Sequence, residues 1–156
     1  MKKALLLLVS YAVVGGLGFG AGIYVLPILT APAAPLQAAL GAAEAAAVYE
    51  AKLRRDLEGS DFLHWGEGTV HIGPETIALV GRLAPGPNYR LYLSPEFVET
   101  EAAFLRLKGS MVQVGAVETF DNFIVPVPAE IDPSQFAAVV IWCESFEQFI
   151  TAGSYR

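Results

Sequence analysis

The single cysteine of the chain, Cys143, is the residue with the widest choice of redox and metal chemistry. A lone cysteine can be an inert core residue, half of an intermolecular disulfide, a redox-labile thiol or a metal ligand. With His64, His71 and Met111 it has the two-histidine, one-cysteine, one-methionine composition of a blue-copper centre. The order of these residues along the chain does not match a blue-copper centre. Such centres usually take a histidine and a methionine from the loop after the cysteine, and no His or Met follows Cys143. The four uses of the thiol therefore stay open.

The two histidines are seven residues apart, which places them on opposite faces of an unbroken strand. A β-bulge at Gly66 or Gly68 would bring His64 and His71 to one face. A cysteine thiolate can also bind haem iron, but the sequence identifies no second haem ligand. The cofactor is therefore left unknown, with haem and copper as the candidates.

Common enzyme motifs are missing from the sequence. It has no glycine-rich phosphate loop, no recognisable Ser/His/Asp spacing, and no Cys-x-x-Cys or Cys-x-x-Cys-His segment. Carboxylates such as Glu96 and Glu99, or Glu144 and Glu147, are far more typical of a solvated surface than of acid–base catalysis. We therefore expect that the chain is not an enzyme by itself.

The stretch 137–149 must position the cysteine. It is apolar on both alternating faces, with Val139, Ile141 and Cys143 on one side and Val140 and Trp142 on the other. A strand with this pattern is buried from both sides, so we predict a central strand of a sheet.

The N-terminus has the composition of a membrane anchor. Hydrophobic residues make up 54% of the 156 residues, and Ala4 to Leu29 contains no charge. This run exceeds the roughly 20 apolar residues that cross a bilayer, and Lys2 and Lys3 before it predict a cytoplasmic N-terminus. We therefore expect a single-pass protein of the inner (cell) membrane with a periplasmic, or more generally extracytoplasmic, C-terminal domain. The alternative is a signal peptide cleaved near residues 31–33.

Glycines recur within the apolar run, at Gly16, Gly18, Gly20 and Gly22. Small residues four apart let another transmembrane helix approach closely, so we predict a binding surface for a membrane-protein complex or a second copy. The alternative is that these glycines face lipid. The net charge of −6 argues against nucleic acid as a partner.

Three parts follow from these patterns: an anchor over residues 1–29, a linker and lead-in helix over 30–58, and a β domain over 59–156. The alanine-rich stretch Leu36 to Leu57 predicts the helix, with Gly59 and Ser60 after its end. Ser94 before Pro95 predicts a short helix within the β domain. Short runs of β-formers between Gly and Pro predict an all-β fold, an antiparallel β-sandwich or barrel, with strands at 69–72, 76–80, 89–93, 111–114, 123–125 and around Cys143.

Five segments in order resemble the DM-thirteen family, an electron-transfer domain also found in Skeletor-type proteins. They are Asp61–Val70 with its His-x-x-x-Gly, Gly86–Ser94, Leu105–Gly109, Phe123–Pro126, and Ala138–Phe146 with Ile-Trp-Cys. The resemblance covers about residues 52–152. It implies an all-β redox domain in which Cys143 is the redox or cofactor-binding residue, Trp142 its neighbour and His64 the recurrent histidine, whereas His71 has no counterpart.

Two functions are consistent with the sequence. The first is a membrane-anchored redox or electron-transfer module centred on Cys143. The second is a non-catalytic accessory subunit that docks through its transmembrane helix and stabilises a membrane complex, with Cys143 as a packing residue.

Overall fold

Alternating apolar residues form two four-stranded antiparallel sheets in the computed structural model, which describes residues 2–156. The helices are α1 (Lys2–Thr30), α2 (Gln37–Ala46) and α3 (Glu101–Leu107). The strands are β1 (Tyr49–Leu53), β2 (Gly66–Ile72), β3 (Thr76–Leu83), β4 (Tyr89–Ser94), β5 (Val112–Val117), β6 (Asp121–Pro126), β7 (Ala138–Cys143) and β8 (Gln148–Ser154).

The strand order is β1-β2-β3-β6 in the first sheet and β5-β4-β7-β8 in the second. The inner faces of both sheets form one hydrophobic core, to which the first sheet gives residues such as Val70 and Leu79 and the second gives Leu91 and Ile141. The predicted β-sandwich is thus confirmed for the domain. "All-β" holds only roughly for the chain, because helices make up about a third of it.

The strand that contains the cysteine is central, as its sequence predicts. β7 lies between β4 and β8, and every residue from Ala138 to Cys143 is buried. Val139, Ile141 and Cys143 face the core between the sheets, whereas Val140 and Trp142 face the other side.

Helices cover the outer faces of both sheets. Phe104 of α3 packs on Trp142 and Val140 of the second sheet. Leu40 and Ala43 of α2 pack on Ala78 of the first sheet. Residues 31–36 connect α1 to α2 without regular structure.

The lead-in helix is shorter than its sequence predicts. α2 ends at Ala46, and Tyr49–Leu53 forms β1, paired with β2. Ala51 and Leu53 alternate into the core, so burial and ladder hydrogen bonds outweigh the helix propensity of the alanine-rich stretch. Gly59 consequently ends no helix, and its N–H instead donates to the Glu99 carbonyl at 2.8 Å.

The short helix of the domain begins later than predicted. The cap is Thr100, whose side chain accepts a hydrogen bond from the Ala103 N–H at 3.2 Å. Ser94 is not a cap, since its hydroxyl donates to the Glu96 carbonyl at 2.6 Å and closes a turn. β8, which the sequence analysis did not identify as a separate strand, completes the second sheet beside β7.

The N-terminal helix α1 is long and apolar enough to cross a membrane, a description that a signal sequence also meets. Its side chains are almost all exposed, and a Cβ added at Gly16, Gly18 or Gly22 would meet no atom within 4 Å. The proposed glycine surface is thus open within this chain, and its partner stays a prediction.

Candidate functional site

A cavity of about 460 Å³ lies between the C-terminal part of α1 and the end of the second sheet. Cys143, His64 and Tyr89 contribute to its wall together with mostly apolar residues, namely Ile23, Leu63, Pro85, Pro87, Phe146 and Ile150. The cavity therefore brings together two predicted site residues, Cys143 and His64, that are far apart in the sequence.

Antiparallel pairing positions the cysteine at this cavity. Tyr89 at the start of β4 is paired with Cys143 at the end of β7, so the loop before β4 passes over the thiol. The Cys143 Sγ lies 3.1 Å from the Pro87 carbonyl oxygen, to which the S–H donates. Asn88 turns the chain here with a φ of 54°. The strand end and the loop hold the sulfur in one position.

The residue Cys143 is only 2% exposed. Burial raises its pKa, and the nearby carboxylate of Glu144 acts in the same direction. The backbone N–H groups of Phe146 and Ser145 oppose this effect by hydrogen bonding that favours the thiolate, but they do not outweigh it. The resting state is therefore a protonated thiol.

His64 is oriented by a carboxylate before β2 begins. Its Nδ1 lies 2.9 Å from Asp61 Oδ2, while Asp61 Oδ1 accepts the backbone N–H groups of Leu63 and His64 at 2.7 and 2.8 Å. Burial would raise the pKa of Asp61, but these hydrogen bonds together lower it. Because a carboxylate only accepts, Nδ1 carries the proton, and in the neutral ring Nε2 presents a lone pair.

The blue-copper set is not assembled. His71 lies on β2 opposite Glu50, with its Nδ1 3.4 Å from Glu50 Oε1, and is not part of the cavity wall. Met111 packs near Trp142 on the outer face of the second sheet. β2 pairs with β3 in continuous register, so the suggested bulge is not formed there. Within residues 2–156 no three His, Cys, Asp or Glu side chains are grouped as metal ligands.

Trp142 is adjacent to Cys143 in sequence but faces the opposite way. Its ring is fully buried and stacks on Phe104, with the ring centroids 3.9 Å apart and the planes at 10°. Trp142 does not contribute to the cavity wall. Its position is that of a core residue behind the site.

Two features of the region were not identified from the sequence. Tyr89 is buried with its ring edge-on to Phe120, and within residues 2–156 its hydroxyl has no hydrogen-bond partner although it borders the cavity. Gly20 of α1 also contributes to the wall, beside Ile23 and Tyr24. Only the Tyr89–Cys143 strand register and the position of α1 reveal these roles, and neither can be derived from local sequence.

The outer face next to Cys143 has a polar network. The Glu144 carboxylate accepts hydrogen bonds from the Tyr92 hydroxyl and from Lys108 Nζ, the latter at 3.1 Å. Burial would raise the pKa of Glu144, but these hydrogen bonds together lower it. Glu144 therefore has a structural ion pair rather than a free carboxylate.

Comparison with protein families gives one match. A family model described as Electron transfer DM13 matches residues 58–155. This range is more than half of the chain and includes Cys143, His64 and Tyr89. No curated protein and no solved structure matches the chain significantly.

Proposed function

Since this chain belongs to the Electron transfer DM13 family, we propose that it is a membrane-anchored, extracytoplasmic redox module whose site is the cavity of Cys143 and His64. The observation that supports this proposal best is that the single thiol and a carboxylate-oriented imidazole border the same cavity. A family match alone supports only a redox-related role.

The anchor part of the proposal rests on α1. Its 29 residues span about 43 Å at 1.5 Å per residue, more than the roughly 30 Å of hydrocarbon. Lys2 and Lys3 at its start favour a cytoplasmic N-terminus. With this orientation the β domain and its cavity lie outside the cytoplasm.

A metal group fits the cavity poorly. The four residues of the copper hypothesis are divided among three parts of the fold, so they do not form one copper site. A thiolate ligand to haem would require Cys143 to lose the proton that it donates to Pro87, where burial raises the thiol pKa. The donors present at the cavity suit hydrogen bonding to an organic group better than metal coordination.

Three side chains of this site can hold or move protons. The Cys143 thiol and the Tyr89 hydroxyl are donors at the cavity, and the neutral His64 ring offers Nε2 as an acceptor. Asp61 fixes the orientation of that ring through the hydrogen bond to Nδ1. These side chains can therefore supply and take up the protons that accompany oxidation or reduction of an organic redox group bound in the cavity.

The accessory-subunit function is the second candidate. It is favoured by one observation, the burial of a thiol whose pKa is raised, as for a core cysteine that is chemically inert. In that case Cys143 stabilises the domain, and the anchor supplies the contact with a membrane complex.

Voltammetry distinguishes the redox function from the accessory function. The full-length protein is extracted with native lipid and captured on a lipid-coated electrode. We expect a redox wave that Cys143→Ser abolishes or shifts, although a serine hydroxyl can still donate to Pro87 and keep the fold. Val140→Ala is the matched control, since it lies on the same strand but faces the other side. Its wave should persist despite a cost of about 1–2 kcal/mol in unfolding free energy.

A wave that Cys143→Ser leaves unchanged would remove the cysteine from the redox role. Absence of a wave from the native protein, together with recovery of a stable complex through the anchor, would establish the accessory function instead.

A further inference from the structure

We propose that the cavity at Cys143 binds the head group of a membrane-soluble quinone or quinol. This inference rests on the proposed function, because it names the ligand class of that same site. The cavity's volume, about 460 Å³, lies within the roughly 300–1,000 Å³ typical of small-molecule sites.

The membrane anchor forms one wall of the cavity. Gly20, Ile23 and Tyr24 of α1 face the end of the second sheet across it. If the hydrocarbon region begins near Ala4, the roughly 20 residues that cross it end near Tyr24. A tyrosine at that position suits the bilayer interface. A ligand dissolved in lipid thus reaches the cavity without crossing water.

Exposed apolar side chains lie on the domain side of the same cavity. Leu63 and Phe146 belong to its wall and are 40% and 51% exposed, and Phe62, next to Leu63, is 84% exposed. Large side chains that are exposed together on a domain surface mark an interaction site. Their position beside α1 identifies the lipid interface as the surface that covers them.

The polar atoms at the cavity match a quinone rather than a hydrocarbon chain. The Tyr89 hydroxyl has no partner within residues 2–156 and can donate to a quinone carbonyl. The Nε2 of His64 can accept from a quinol hydroxyl, because Nδ1 is engaged with Asp61. A ring with oxygens on opposite edges uses both groups, whereas a lipid acyl chain has no polar atom to pair with either of them.

The test uses the full-length protein in phosphatidylcholine nanodiscs and a photoreactive azido-ubiquinone with a decyl tail. We expect saturable labelling that decylubiquinone displaces and decylbenzene, with the same tail but no carbonyls, does not. Gly20→Phe should lower labelling about tenfold by filling the cavity. The new side chain is tolerated, since a Cβ at Gly20 meets no atom within 4 Å.

Gly15→Phe is the matched control, since Gly15 lies on the same helix, is equally open and belongs neither to the cavity wall nor to the glycine surface. It should label like the native protein. Tyr89→Phe should weaken displacement by decylubiquinone about fivefold, the worth of one hydrogen bond, without changing the effect of decylbenzene.

Each contrary outcome is specific. Equal displacement by decylbenzene would show a site for acyl chains rather than for a quinone. Undiminished labelling of Gly20→Phe would place the quinone elsewhere on the protein. Labelling that does not saturate would show that there is no specific quinone site. Because labelling measures binding alone, Cys143→Ser should still label. A Cys143-dependent redox wave in a protein that does not bind the quinone would refute this inference and leave the proposed function intact.

Discussion

Replacement of Glu144 by glutamine should destabilise the domain at neutral pH and have little effect in acid. Lys108 Nζ lies 3.1 Å from Glu144 Oε2, but the lysine side chain is 38% exposed, so this pair contributes only about 0.5 kcal/mol. A hydrogen bond from Tyr92 to a charged acceptor contributes about 1.5–3 kcal/mol. A neutral amide retains about 1 kcal/mol of this. The expected loss at pH 7 is therefore about 1–2.5 kcal/mol.

The pH dependence follows from the lowered pKa of Glu144 in the folded state. A carboxyl group with a lowered folded pKa contributes its full stabilisation above its unfolded pKa, roughly 4.3 for glutamate. That contribution is lost as the pH falls through the lower, folded pKa. The native protein and Glu144→Gln should therefore differ in unfolding free energy at pH 7 and converge as the pH falls below the folded pKa of Glu144.

Chemical denaturation of the full-length protein in detergent, followed by tryptophan fluorescence, measures this difference, because Trp142 is stacked in the core beside the network. Glu118→Gln is the matched control, since Glu118 is an exposed carboxylate at the end of β5. It should unfold like the native protein both at pH 7 and in acid. Equal stability of the two variants at pH 7, or a deficit of Glu144→Gln that does not shrink as the pH falls, would refute the reasoning.

Two further outcomes follow from the fold. Gly68→Ala should cost about 2–3 kcal/mol in thermal unfolding, since Gly68 has a φ of +124° and a Cβ there would lie 2.6 Å from the Gly81 Cα and clash with the Val80 carbonyl. Gly109→Ala, with open space around it, should not destabilise, and equal costs for both variants would contradict this account. A reporter active only in the cytoplasm, fused after Arg156, should be silent; activity would reverse the proposed topology, and a mature chain lacking α1 would show a cleaved signal sequence.

Alternation along the chain was enough to predict the central strand. Each residue of β7 is buried. The two apolar faces predicted for Val139 to Cys143 pack into the two hydrophobic clusters on either side of the second sheet. The pattern is local, so no knowledge of the partner strands was needed. The resemblance to the DM-thirteen family, confirmed by the match over residues 58–155, also rested on local motifs.

Long-range pairing explains what the sequence did not reveal. Tyr49–Leu53 follows a run of alanines, so local propensity favours a continuing helix there. The segment forms a strand because it pairs with β2. Nothing local places Tyr89 opposite Cys143, because strand register depends on both chains of the pair. The copper hypothesis failed for the same reason: residue types were compatible, but the topology separates His71 and Met111 from the thiol.

The short connection between α1 and the β domain limits how far the domain can reach from α1. Residues 31–36 have no regular structure, and fully extended they span only about 20 Å. α2 cannot lengthen this connection without detaching Leu40 and Ala43 from Ala78. For a chain held in the bilayer, encounters are thus limited to molecules in or near the plane of the membrane. In that case the search for a partner becomes two-dimensional, and a soluble partner has to come to the membrane surface.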